Sequence, residues 1–308
     1  MLRQIKSLLA GLSVVAFATG CGGGNSDPDI VQLAQSNPDL SILVEAVDAA
    51  GLAGTLKQAG PYTVLAPTNA AFASLLSELG VTKAQLLADK ALLTSVLTYH
   101  VVPGTVRRAD IPLGKAVTSL QGGIFKVDTV GTALRITDGR NRTSNITATD
   151  LHATNGVVHV VDKVILPANK NIVQTAQSLA DFSILVEAVV AADLQGTLSG
   201  TGPFTVFAPT NAAFVALLGE LGISKAALLA DKALLTKVLT YHVVSGRVLK
   251  ANVPVGSPIT TVQGDTFTVN AALAIADQRG RSANIVATDV LTSNGVIHVV
   301  DKVILPKP

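Results

Sequence analysis

The chain of 308 residues has no tryptophan, a single cysteine and only 4% aromatic residues. Each scarcity excludes something. One cysteine, Cys21, can form neither an internal disulfide nor a thiolate metal cluster. So few rings leave little on which to stack bases or sugars, and the charge balance is no better suited to nucleic acid. Arg3 and Lys6 account for the formal charge of +2; without them, 21 basic side chains face 21 acidic ones. A neutral body of this kind has no basic face for a phosphate backbone and no electrostatic hold on an anionic membrane. Catalytic signatures are missing too. Gly-x-Ser-x-Gly does not occur, Gly200-Thr-Gly202 runs straight into Pro203 instead of forming a phosphate cradle, and the five histidines never take His-x-x-x-His or His-Glu-x-x-His spacing. Charged residues are 14% against 48% hydrophobic, which excludes a disordered chain.

What the first residues do contain is an export pattern. Two positive charges precede Leu8–Thr19, a mostly apolar run of 12 residues that is too short to span a bilayer. Small residues Ala18-Thr-Gly20 then lead to Cys21. The arrangement resembles a bacterial lipoprotein signal, with Ala18 standing where leucine is favoured. It implies removal of residues 1–20, acylation of Cys21 and a membrane anchor. Residues 21–29, with Gly22-Gly-Gly-Asn-Ser-Asp27, are expected to be a flexible tether. No acidic residue directly follows the cysteine, which favours the outer membrane or cell surface.

The remainder is one sequence written twice. Thr63-Val-Leu-Ala-Pro-Thr-Asn-Ala-Ala-Phe72 returns 142 residues later as Thr205-Val-Phe-Ala-Pro-Thr-Asn-Ala-Ala-Phe214. This is a strand turning sharply into a helix: Pro67 and Pro209 stop the strand, and Thr68 or Asn69, Thr210 or Asn211, cap the helix. Before it, Leu40, Leu43, Val44 and Val47 form a helical stripe with Gly51 and Gly54 as stops. After it, Thr82 and Ser224, then Asp89 and Asp231, are further caps, and the last helix of each set ends in Tyr99-His100 or Tyr241-His242. Each repeat then changes to alternating β segments, 125–130 and 134–136 in the first and 266–270 and 273–275 in the second. It closes with Asn155-Gly-Val-Val-His-Val-Val-Asp or Asn294-Gly-Val-Ile-His-Val-Val-Asp at an offset of 139. Three residues are therefore lost from the second repeat, expected near Val130–Thr143. A period this long is not a solenoid. It defines tandem domains at 30–168 and 171–306, joined too tightly by Ala168-Asn-Lys170 to swing freely.

The Thr-Val-x-Ala-Pro-Thr-Asn-x-Ala-Phe block, the Tyr-His pair and the closing Asn-Gly-Val-x-His-Val-Val-Asp block together resemble the fasciclin (FAS1) domain, twice over. The resemblance implies an α+β fold, with helices packed on a wedge of two β-sheets in each domain. It also implies a non-catalytic adhesion or matrix-interaction module, with no cofactor and no metal. Partner-binding roles carry over to Tyr99, His100, Tyr241 and His242, and to the acidic dipeptides Asp150-Leu151 and Asp289-Val290, the second lying nearer the family pattern. Residue by residue, blander readings stand beside these. The strand histidines suit a core, the Tyr-His pairs suit a structural role, and Asp162 and Asp301 suit strand ends. Asn141-Arg-Thr and Asn145-Ile-Thr match the glycosylation acceptor by chance behind a bacterial signal. A different function class, a periplasmic or secreted binding module for a small hydrophobic or lipid ligand, predicts a pocket inside each domain.

Overall fold

The structure is a computed structural model that describes residues 27–308; the expected signal peptide, Cys21 and most of the tether lie outside the described residues. Asp29 opens the first repeat. Its carboxylate accepts the Gln32 N–H at 2.8 Å while the Gln32 side chain accepts the Asp29 N–H at 2.9 Å, a reciprocal cap that starts α1 (Ile30–Gln35). Helix α2 (Ser41–Ala50) ends at Gly51, which takes the left-handed conformation with φ 72°. Gly54 is not a stop, because it lies within α3 (Ala53–Leu56).

Strand β1 (Tyr62–Pro67) ends at its proline, and Thr68 caps α4 (Asn69–Leu79) by accepting the Ala71 N–H at 3.2 Å. Asn69 does something else. It accepts the Ile42 N–H of α2 at 2.9 Å and donates to Pro38 O and Ser41 Oγ, each at 3.0 Å. The Pro-Thr-Asn turn thus caps one helix with threonine and ties down another with asparagine. Thr82 and Asp89 then cap α5 (Lys83–Ala88) and α6 (Lys90–Tyr99).

The strands that follow are β2 (Val101–Pro103), β3 (Ala116–Thr118), β4 (Ile124–Val130), β5 (Ala133–Thr137), β6 (Thr143–Ala153) and β7 (Gly156–Val161). The second repeat runs α7 (Ile172–Gln177), α8 (Ser183–Ala191), α9 (Gln195–Leu198), β8 (Phe204–Pro209), α10 (Asn211–Leu221), α11 (Lys225–Ala230) and α12 (Lys232–Tyr241). It finishes with β9 (Val243–Ser245), β10 (Pro258–Thr260), β11 (Thr266–Val269), β12 (Ala274–Ala276), β13 (Ser282–Thr292) and β14 (Gly295–Val300).

Each repeat builds seven strands in the order β2-β1-β7-β6-β5-β4-β3, and β9-β8-β14-β13-β12-β11-β10 in the second. β1 and β7 pair in parallel, as do β8 and β14; the other pairs are antiparallel. The long β6 pairs with β5 only over Thr143–Ile146 and continues alongside β7, with register shifts between Ile146 and Leu151. Bulges bend a strand, so the two leaves of the wedge are one sheet folded at β6, and likewise at β13. β1 is buried on both faces. Val64 and Ala66 meet the helices, while Leu65 joins Tyr99, Phe125 and Ile136 under the second leaf. That is why β1 is a continuous apolar run and not an alternation.

The missing three residues sit at one hairpin. Eight residues separate the paired Val127 and Ile136, whereas five separate the equivalent Val269 and Ile275. The shorter tip puts Leu273 at φ 60°, with Asn270 Oδ1 accepting the Ala272 and Ala274 N–H groups at 2.9 Å.

Asn69→Ala leaves the Ile42 N–H without its partner, and we expect it to cost about 2 kcal/mol in urea unfolding. A change below about 0.5 kcal/mol would show that the turn holds without that bridge.

Candidate functional site

The Tyr-His pairs end α6 and α12, and all four side chains are buried. Tyr99 Oη donates to Ile124 O and accepts the Gly139 N–H at 2.8 Å, so it joins the helix end to two strand segments. Tyr241 Oη donates to Thr266 O at 2.9 Å. Burial, aided in each case by a nearby aspartate (Asp138 or Asp277), pushes both phenols far above their ordinary pKa. His100 Nδ1 lies 2.7 Å from Val96 O, and its Nε2 lies 3.0 Å from the Ile165 N. A carbonyl only accepts and an amide only donates, so the ring is neutral with its proton on Nδ1. His242 repeats this between Val238 O and the Ile304 N–H. Burial holds both imidazoles down to about 4, against the opposing pull of the carbonyl hydrogen bond. The expected partner-binding role of Tyr99, His100, Tyr241 and His242 therefore meets a physical obstacle: these groups are spent on internal contacts.

The closing-block histidines take the opposite tautomer. His159 accepts the Asp150 N–H on Nδ1 at 3.1 Å and donates from Nε2 to Val106 O at 2.9 Å. His298 does the same with the Asp289 N–H and Val248 O, and burial lowers its pKa. In all four rings the lone pair is taken by a backbone N–H, leaving nothing to ligate a metal. Asp162 is a strand-end residue as expected: it accepts from Ser144 Oγ and from the Asn145 backbone and side chain. These bonds outweigh its burial and lower its pKa.

The two acidic dipeptides sit on the bulges of β6 and β13, with Asp150 at φ 60° and Asp289 at φ 61°. Aspartate tolerates this left-handed geometry better than most residues. Their surroundings differ. Asp150 is exposed beside exposed Arg107 and His152, on an open cleft of about 700 Å³. Leu151 packs inward on the helical core. Asp289, from the dipeptide nearer the family pattern, is buried. Its Oδ2 accepts from Lys126 Nζ of the first repeat at 2.9 Å, with side-chain exposures of 3% and 14%. Burial works against the Lys126 ammonium, but hydrogen bonds and charge from Asp289 and Asp128 outweigh it and raise its pKa. Next to the ion pair, Asn141 donates to Leu291 O at 3.0 Å and accepts the Leu291 N–H at 2.7 Å. Ile124 of the first repeat packs with Leu249, Leu291 and Val296 of the second. Gly114 completes the seam, since a Cβ there would lie 3.1 Å from the Ala251 Cβ. Asp289 is thus an interface residue between the domains, while half-buried Val290 packs on the second domain's own helical core as Leu151 does on the first. Sequence reasoning did not single out Lys126 and noted Asn141 only as a chance glycosylation acceptor; the role of both becomes visible only when the second domain is placed against them.

A family model described as the fasciclin domain matches residues 38–167 and again 180–306. The chain belongs to the fasciclin domain family. It is 31% identical over 248 residues to transforming growth factor-beta-induced protein ig-h3 of Sus scrofa, covering 80% of this chain and 35% of that protein. It is 43% identical over 148 residues to protein sll1483 of Synechocystis, covering 48% of this chain and 79% of the relative. It is also 36% identical over 153 residues to the cell surface glycolipoprotein MPB83 of Mycobacterium bovis, covering 48% and 64%. The chain spans about a third of the length of the first of these relatives.

Each fasciclin domain encloses an apolar cavity between its first helices and the sheet, and each cavity measures about 30 Å³. That is room for roughly one water, far below the roughly 300–1,000 Å³ of a small-molecule site. Neither of these two cavities has room for the small hydrophobic or lipid ligand of the alternative reading.

His100 and His242 take up protons only when the chain unfolds, so between pH 6.5 and 4 the unfolded state binds more protons. Stability is then fully present above pH 6.5 and falls as pH drops through that window, by up to roughly 3 kcal/mol per histidine. A urea midpoint that stays level down to pH 4 would contradict the neutral assignment. Separately, Lys126→Ala strands the buried Asp289 carboxylate and should cost about 3 kcal/mol in unfolding experiments; a neutral effect would mean the pair is open to water.

Proposed function

We propose that this chain is a non-catalytic adhesion module that binds a protein or matrix component outside the cell, held at the bacterial envelope by a lipid on Cys21. Membership of the fasciclin family supports interaction over catalysis. A cell surface glycolipoprotein among the relatives supports the surface location. The acylation pattern around Cys21 supports the anchor, and Gly22-Gly-Gly-Asn-Ser26, ahead of the α1 cap at Asp29, would give the domains reach from the membrane.

The observation that carries the reading is the unequal fate of the two acidic bulges. Asp289 is committed to Lys126, whereas Asp150 faces solvent on an open cleft between Arg107 and His152. The binding residue is then Asp150 in the first domain. Leu151, Tyr99-His100 and Tyr241-His242 support the scaffold on which it is displayed.

Attachment of cells expressing the chain to matrix-coated surfaces should fall about tenfold with Asp150→Ala, a loss of about 1.4 kcal/mol that only a minority of interface residues reach. The circular dichroism spectrum should stay native. Retained attachment would remove Asp150 from the site. Protease treatment of intact cells tests the location: the wild-type chain should be shaved from the surface, and Cys21→Ser should appear in the medium or periplasm. Protection until the envelope is broken would contradict an outward-facing anchor.

A further inference from the structure

The two bulges are one device seen in two states. At each, a backbone N–H fixes one carboxylate oxygen: Arg108 N–H to Asp150 Oδ1 at 2.9 Å, and Lys250 N–H to Asp289 Oδ1 at 2.7 Å. The other oxygen is left to present outward. On Asp289 it holds the Lys126 ammonium at 2.9 Å, while among the described residues nothing hydrogen-bonds to Asp150 Oδ2. The neighbouring strand edge follows the same division. β5 pairs with β6 only as far as Ile146, and β12 with β13 only as far as Asn284, so beyond these points the outer edge has no strand beside it. At Leu291 the Asn141 amide covers that edge by bonding both the N–H and the C=O. His152 occupies the matching position, opposite Val157 as Leu291 is opposite Val296.

The occupied copy displays the chemistry such a bulge accepts. Its ligand is a lysine on a strand, with a carboxylate two residues along at 3.1 Å (Asp128) and an amide side chain nearby. We propose that the Asp150 bulge binds a partner protein in the same way: a lysine ammonium from a strand edge meets Asp150 Oδ2, and an adjacent amide side chain pairs with the His152 backbone. This rests on the reading of Asp150 as the binding residue and names the chemistry of what it binds.

Local substitutions fit an external partner better than a third internal domain. Arg107 stands before the 3-10 turn where the second domain has Leu249, and His152 stands in place of Leu291. The apolar pair that seals the internal seam is therefore polar at the open bulge, which suits a partner edge carrying both signs of charge, as Lys126 and Asp128 do. The second domain cannot pass the arrangement on. Thr268 holds the register position of Lys126, and Gly280 that of Asn141.

The chain supplies its own probe. Asp289→Arg with Leu291→Asp sets like charge against Lys126 and charge into the apolar seam, releasing the Lys126 edge for another molecule. The full chain carrying both changes should self-associate in sedimentation velocity, at least about tenfold more tightly than the same chain with Asp150→Asn added. An opened chain that stays monomeric up to its solubility limit would overturn the proposal, and so would self-association indifferent to Asp150. Should scattering show the double variant still closed or unfolded, the wild-type chain gives the answer by amide NMR. N-acetyl-lysine amide should shift the Arg108 and His152 signals and spare Lys250 and Leu291, with the norleucine analogue inert. Absence of those shifts, or equal shifts at both bulges, would overturn it. If matrix attachment depends on Asp150 but neither probe binds, the adhesion reading stands and the lysine chemistry falls.

Discussion

An ammonium and a carboxylate, both largely withdrawn from water, hold the two halves of this molecule in register. Neither Lys126 nor Asp289 could sit so deep alone, because an unpaired buried charge costs several kcal/mol. Together, with Asp128 as a second acceptor at 3.1 Å, they satisfy one another. A buried ion pair is weak evidence for stability but strong for geometry, since small displacements leave both charges uncompensated. The Asn141 amide adds a two-point hydrogen bond to the Leu291 backbone, and the Ile124, Leu249, Leu291 and Val296 cluster adds apolar contact. Three kinds of interaction thus converge on one bulge.

The same contact makes two similar domains differ at their matching bulges. Both repeats build the bulge, the left-handed aspartate and the histidine that fixes it. What differs is the surround. Leucines at 249 and 291 make the second bulge a docking face, whereas Arg107 and His152 keep the first one wet. On the receiving side, Lys126 and Asn141 in the first domain correspond to Thr268 and Gly280 in the second. The seam therefore forms once and ends, with one acidic bulge consumed and one displayed.

Much of the fold was legible in the sequence because it rests on local chemistry. The caps at Thr68, Thr82 and Asp89, the stop at Gly51 and the lost hairpin residues follow from turn and helix preferences. The α+β division followed from the change of period within each repeat. The continuity of the folded sheet was less visible, since a bulge in β6 is a matter of tertiary pairing. Site residues were harder still. Tyr99 and His100 have the chemistry of a binding pair, and only packing reveals that every donor and acceptor on them is already used. Asp150 and Asp289 have nearly equal local sequence, and their separation into exposed and buried depends on contacts some 160 residues away, at Lys126. The dipeptide nearer the family pattern is the one hidden, so likeness in sequence and availability in space point to different domains.

The central claim is that domain contact closes one acidic bulge and leaves its twin open, and amide hydrogen exchange on the intact chain tests it directly. The Leu291 N–H, bonded to Asn141 across the seam, should exchange slowly, while the His152 N–H at the matching edge position should exchange at close to the rate of a solvated amide. Equal and fast exchange at both positions would mean that the domains do not hold the seam in solution, and the account of a closed and an open site would fail.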